Sequence, residues 1–292
     1  MRVRMLAGLA ATVAVAGTAV AVQVAGMAAA HAAVTGVHQV TGPLSPIDSQ
    51  PSKTVKATCP VGEQVIGGGG WVMTTVTADA TKVTLTELQP VHPPSGADFY
   101  EVTGQEVTPN IATNWWVQSF AMCATPVPGL HIVSFTGPAT ASAAQAFCGS
   151  GEAALGGGGQ INGAPNHVAL SAEFPLFGNR WQASSLPAAN FTGSWTVTAY
   201  AVCAPTPAGY QVVSANSSSG PTDPIKVALV NCPAGKHLLS PSAATKVEAP
   251  AGVALQVVFP SPSLDQVEAV AAATSPITID WKPAVAVAVC AS

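Results

Sequence analysis

The chain has 292 residues, 48% of them hydrophobic and only 8% charged, with ten Lys+Arg against fourteen Asp+Glu and a formal net charge of −4. About a quarter of an ordinary globular chain is charged, so a disordered acidic tail and a basic nucleic-acid binder are both excluded, since each needs dense charge. A folded chain with no attraction for phosphates or anionic membranes is expected.

Arg2 and Arg4 precede an uncharged run rich in Ala and Val, from Met5 to Ala30, which closes on Ala30-His31-Ala32 before Ala33. Small residues at both ends of that triplet suit a signal peptidase. Residues 1–32 are therefore read as a signal peptide and the remainder as secreted and extracellular, with a formal charge of 8 − 14 = −6 once the two arginines are gone. The alternative is an uncleaved anchor, because the run is long enough to cross a hydrocarbon core of about 30 Å.

Six cysteines agree with export, where disulfides persist. Cys59, Cys123, Cys148, Cys203, Cys232 and Cys290 are separated by 64, 25, 55, 29 and 58 residues, long and short gaps alternating. None forms the short pair that zinc or redox chemistry would use. The alternation is one sign of a threefold repeat, and three phrases confirm it. Cys59-Pro-Val-Gly62, Cys148-Gly-Ser-Gly151 and Cys232-Pro-Ala-Gly235 each place Gly three after Cys, a turn signature. Runs of four glycines follow at Gly67–Gly70 and Gly156–Gly159, where the third copy has Ser240-Pro-Ser-Ala243. Val83-Thr-Leu85, Val168-Ala-Leu170 and Val253-Ala-Leu255 recur at an offset of 85, each leading to a Pro, and each copy closes with a Trp and an alternating run into its second Cys.

The modules are bounded at 33–126, 127–206 and 207–292, with proline-rich links around Pro126 and Pro205. Alternation and turn residues predict about six strands per copy and no helix after the signal, an all-β chain. Two architectures are open: three small β-sandwich-like modules, or one pseudo-threefold β-prism or trefoil-like domain sharing a core. Domains this small are marginal alone, so one internal disulfide per copy is expected: Cys59–Cys123, Cys148–Cys203 and Cys232–Cys290. Each is worth about 4 kcal/mol in the chain-entropy model. The third copy, with Ser240-Pro241 in place of glycines and Pro283 in its closing run, is expected to be the least constrained by the glycine-run geometry and the least stable.

The phrase Cys-Pro-x-Gly, a hydrophobic residue with a glycine run, Val-x-Leu, Pro, Trp and an Ala-Val-Cys-Ala ending resembles modules of secreted actinomycete repeat proteins of uncharacterised function. The resemblance covers nearly all of the chain after residue 32, strongly in the first two copies and weakly in the third, and carries no catalytic or binding residue with it. Repeat number and cysteines are also similar to the β-prism of the vitelline membrane outer layer proteins.

The glycine runs neither continue into Gly-Lys-Ser/Thr nor open a helix, so they are read as bends, or as bare backbone on which an aromatic ring lies flat, with Trp115 and Trp195 as the covering rings. His38, His92, His131, His167 and His237 include no two within four residues, and no metal is assigned. No Gly-x-Ser-x-Gly elbow occurs. Glu87, Asp98, Glu101, Glu106 and Glu173 could supply a glycosidase pair, but sequence distance does not join any two. Glu63 and Glu152 share a repeat position, Lys236 replaces them in the third copy, and a polar turn explains them. No catalytic residue and no cofactor are assigned.

Aromatics outside the core are the remaining lead. Phe99, Tyr100, Trp116, Arg180 and Trp181 lie in or beside turns of the first two copies, where rings can stack on sugars. The sequence therefore reads as a non-enzymatic secreted binding or surface-structural protein touching a polysaccharide or a protein at a cell surface, without nucleic acid or membrane partners. A hydrolase with a site in one module, or a secreted inhibitor or toxin, is the alternative.

Overall fold

A computed structural model describes residues 33–107, 111–217, 223–245, 252–274, 281 and 284–292. The segment read as a signal peptide and Pro283 lie outside them. Module one supplies β1 (His38–Thr41), β2 (Ser52–Thr58), β3 (Gln64–Thr74), β4 (Val83–Val91), β5 (Phe99–Glu106) and β6 (Trp115–Ala124). Module two supplies β7 (His131–Thr136), β8 (Ala143–Phe147), β9 (Glu152–Asn162), β10 (Val168–Leu176), β11 (Arg180–Pro187) and β12 (Thr196–Pro205). Module three supplies β13 (Gln211–Asn216), β14 (Ile225–Asn231), β15 (His237–Thr245), β16 (Val253–Pro260), β17 (Gln266–Ala273) and β18 (Ala284–Ala291). The fold is all-β; among the described residues the one helical turn is a 3-10 turn at Thr77–Asp79.

Each module is two facing three-stranded leaves, and its disulfide joins one leaf to the other. Cys59–Cys123, Cys148–Cys203 and Cys232–Cys290 are all formed and no cysteine is free, which suits an oxidising compartment. The modules are sandwich-like, but they do not close separately. The three six-stranded sheets run β1-β6-β3-β16-β17-β14, β2-β5-β4-β9-β12-β7 and β13-β18-β15-β10-β11-β8, so every sheet joins a leaf of one module to a leaf of another. We call them the first, second and third sheets. Each junction is a short ladder: Val258↔Gly70, Leu88↔Gly159 and Glu173↔Ala243 are three copies of one pairing. The buried apolar residues accordingly form one continuous cluster through all three modules. Three tandem modules, each with its internal disulfide, are present as expected, and they share their sheets and one core.

The glycine runs explain how three modules meet. Each follows a bulge that leaves one buried residue unpaired, Ile66 in β3 and Leu155 in β9, with Leu239 in β15 at the same place. A Cβ on Gly67 or on Gly156 would collide with the side chain of Ser240. The third copy's serine therefore fills an axis that the other two copies leave bare. One residue on, the ring of Tyr100 lies against Gly68 and the indole of Trp181 against Gly157. At that step module three has Pro241, and its partner at the position of Tyr100 and Trp181 is the smaller Val267, as the pairings Pro90↔Tyr100, Pro175↔Trp181 and Pro260↔Val267 establish. Glycine under a large ring and proline under a small side chain occupy similar space, so close packing survives the exchange. Bare backbone under a ring was expected, but the covering rings are Tyr100 and Trp181 rather than Trp115 and Trp195.

Candidate functional site

The sheet faces turned away from the module interiors can be compared at one set of equivalent positions. On the first sheet these hold Trp71, Phe120 and Phe259, which fill the face: Trp71 stacks on Phe259 at 5.2 Å and Phe120 meets both edge-on at 5.1 and 4.9 Å. On the second sheet they hold Gln160, Tyr200 and Gln89. A polar ladder spans five strands there, with Thr54 Oγ1 and Thr103 Oγ1 2.9 Å apart. The Thr103 hydroxyl donates to Glu87 Oε2 at 2.6 Å, Gln160 Nε2 to Glu87 Oε1 at 2.6 Å, and the Tyr200 hydroxyl to Gln160 Oε1 at 2.9 Å. On the third sheet the same positions hold Ala244, Val287 and Phe174. Two of three large side chains are missing, and an open groove of about 760 Å³ takes their place between modules two and three.

Among the described residues the groove's lining carries no charge. Its walls are Ala143, Ala172, Val212, Val285 and Leu186 interleaved with Ser142, Ser171, Ser184, Ser185, Ser214 and Thr245, with Phe174 and Gln182 at one side. Alternation along β8, β10, β11 and β15 puts Ala143, Ala172, Ser184 and Ala244 on this face and sends Glu173, Trp181 and Ala183 inward, while Ser185, of inward parity, reaches the groove only at its edge. The face continues past the groove. Gln145 Nε2 donates to Gln182 Oε1 at 2.9 Å, and beyond that pair the Arg180 guanidinium lies 4.7 Å from the ring of Phe147 and 5.1 Å from that of Phe177. Both rings are exposed, at 56% and 81%, while Arg180 Nε has no hydrogen-bond partner within the chain.

The five residues expected to stack on sugars are not brought together. Trp116 lies half-buried on the first sheet, opposite Met73. Phe99 is on the second sheet under the Lys56 ammonium, 4.1 Å from its ring centre. Tyr100 and Trp181 are fully buried, which corrects their expected exposure: inward parity in β5 and β11 drives each ring onto a glycine of the facing leaf. Trp181 shares the groove's sheet but faces inward, so Arg180 alone is on the groove's side of it. Module three, which holds none of those five residues, supplies six of the sixteen residues that line the groove.

The candidate carboxylates are dispersed too. Glu106 and Glu173 point into the core. Asp98 is buried, accepting the Val65 N–H at 3.0 Å and meeting His92 Nδ1 at 2.7 Å. Glu87 and Glu101 share the outer face of the second sheet, and Lys56 pairs with Glu101 at 3.0 Å. Burial, with a smaller push from the Glu101 charge, raises the Glu87 carboxyl above its usual range against the pull of the Thr103 hydroxyl. Burial chiefly, then Glu87 and Glu101, brings the Tyr200 phenol up to about 12. Both Glu87 oxygens are already engaged by Thr103 and Gln160, the pattern of a structural crosslink.

What the sequence reading missed is the groove. The signal was available: Trp71, Gln160 and Ala244 stand at one repeat position, as do Phe120, Tyr200 and Val287, three before the closing cysteine of each copy. No protein-family model matches the chain, and no curated protein aligns with it significantly.

Proposed function

We propose that this is a secreted, non-catalytic binding protein that holds a glycan strand in the groove between modules two and three, one member of the secreted actinomycete repeat modules it resembles. The observation that carries the reading is the loss of bulk at Ala244 and Val287, which opens a concave surface, uncharged among the described residues, where the first sheet is filled by Trp71 and Phe120. Serine and threonine hydroxyls and the Gln182 amide suit a ligand rich in hydroxyls, Phe174 offers a face for a sugar ring, and Arg180 with Phe147 extends the surface beyond the groove. A stacked ring adds about 1 kcal/mol, so one contact is weak and retention depends on a strand long enough to meet several. The hydrolase alternative is less favoured because the two carboxyls with raised protonation ranges are away from the groove: Glu87 sits on another face with both oxygens engaged, and Glu173 is buried in the core.

The test is retention of the purified chain on insoluble peptidoglycan, chitin and cellulose, beside Ala244→Trp. Trp71 already occupies the equivalent place on the first sheet, so the substitution fills the groove with a side chain that the architecture accepts. Retention of the wild type on at least one polymer and its loss in the folded variant are expected. Equal retention of both would remove the groove from the function, and no retention on any polymer would remove these glycans.

A further inference from the structure

Modules one and two each carry a histidine–glutamate pair at the same place. His38 opens β1 and His131 opens β7, and each Nδ1 lies against the carbonyl of a glycine two residues earlier, Gly36 at 2.9 Å and Gly129 at 3.0 Å. A carbonyl only accepts, so Nδ1 carries the proton in both rings. Nε2 then faces a carboxylate oxygen, Glu63 Oε2 at 3.3 Å and Glu152 Oε2 at 3.8 Å. In a neutral imidazole that nitrogen presents a lone pair, so acceptor confronts acceptor, and the contact is favourable only with a proton on Nε2, as in an imidazolium–carboxylate pair, or with a metal ion between the two. Glu63 Oε2 is closed off from solvent and receives no hydrogen bond within the chain. Glu152 Oε2 receives one, from the Gly149 N–H at 2.6 Å.

Module three supplies the positive charge itself. Gln211 stands at the histidine position and Lys236 at the glutamate position. The Lys236 ammonium donates to Gln211 Oε1 and to the carbonyl of Gly209, the counterpart of Gly36 and Gly129, both at 2.7 Å. The same corner is thus built three times around a cation: an internal ammonium in one copy, and an imidazole nitrogen with a carboxylate oxygen in the other two.

We infer that modules one and two each bind a divalent first-row transition-metal ion, between His38 Nε2 and Glu63 in one and between His131 Nε2 and Glu152 in the other, with water completing the shell. Two ligands about 2.0 to 2.1 Å from a tetrahedral zinc ion stand about 3.3 Å apart, which is the His38–Glu63 separation; the second pair has to close by a few tenths of an ångström. Imidazole with carboxylate suits zinc and copper, and an Nδ1–H held by a carbonyl is the outer contact that orients a metal-binding histidine. The sulfurs of Cys123 and Cys203 are close to these groups but belong to disulfides and offer no thiolate. The histidine side chains are 40% and 46% exposed, so an ion enters directly from solvent.

The test is isothermal titration of the purified, chelator-treated chain with Zn²⁺ at pH 7.5. Two ions per chain are expected. His38→Gln with Glu63→Lys, and His131→Gln with Glu152→Lys, each copy the pair of module three and should each remove one ion; the four changes together should remove both. Absence of uptake by the wild type, or uptake that survives the four changes and so resides on His92, His167 or His237, would overturn the assignment. Imidazole resonances of the unaltered chain give an independent reading: Zn²⁺ must shift those of His38 and His131, and a titration that leaves both unmoved contradicts the proposal whether or not the variants fold.

Discussion

The indole N–H of Trp181 donates to the buried carboxyl of Glu173 at 3.0 Å, and the same indole lies on the backbone of Gly157. One residue pair thus joins β10 and β11 of module two to β9 of the facing leaf. Burial holds the Glu173 carboxyl well above its ordinary value of 4.5, against smaller pulls from the Trp181 N–H and the Ala243 backbone.

A pH dependence follows. The folded chain keeps a proton on Glu173 that the unfolded chain releases. Stability from this group is fully present below about pH 4.5 and is lost at about 1.4 kcal/mol per pH unit as pH rises toward the folded value. Glu173→Gln keeps an acceptor for Trp181 and cannot ionise. Urea unfolding with disulfides intact should find the variant more stable than the wild type at pH 8, with the gap closing near pH 4. A gap independent of pH would mean that Glu173 is not the buried proton holder.

Gly157→Ala should destabilise by at least about 1–3 kcal/mol, because a Cβ there meets both Trp181 and the Tyr200 carbonyl. Trp181→Val, which imitates Val267 of module three, should recover part of that loss when combined with Gly157→Ala. Strict additivity of the two changes would show that the ring does not rest on the glycine.

Lys53 is buried, 4.5 Å above the ring of Trp115, with Nζ donating to the carbonyls of Pro46 and Asp48 at 2.8 Å and of Trp115 at 2.5 Å. Lys226 repeats the arrangement over Trp281 in module three, bonding its carbonyl at 2.7 Å. Module two has Ser142 at that position, and Trp195 turns its indole N–H to Ser185 instead. Lys53→Ala leaves the buried Trp115 carbonyl, the part-buried Pro46 and Asp48 carbonyls and the Asp48 carboxylate without their partner and should cost about 2–4 kcal/mol, read as a lowered urea midpoint. Ser142→Ala should cost less than about 0.5 kcal/mol.

These comparisons mark where the sequence is legible. Cysteine spacing, the offset of 85 and alternation suffice for the disulfide pairs and six strands per module, because turns and period are local. Which leaves join into a sheet is carried by ladders as short as Glu87↔Gln160 with Leu88↔Gly159, whose residues look like any other strand. Parity along β6 shows that Trp115 and Trp116 part company, but not that β5, and hence Tyr100, is the strand whose ring reaches Gly68. The groove is an absence of bulk at Ala244 and Val287: the repeat positions carry that signal, but the sheet pairing is what puts the two positions on one outer face beside Phe174.

The most direct test of glycan binding in the groove is an amide ¹H–¹⁵N titration of the folded chain with soluble chito- and cello-oligosaccharides and muropeptide fragments. At least one of these should shift Ala172, Gln182, Ser184 and Ala244 of the third sheet while leaving Trp71 and Phe259 of the first and Glu87 of the second unmoved. Shifts centred on either of those other faces, or none at all at millimolar sugar, would contradict a binding site between modules two and three.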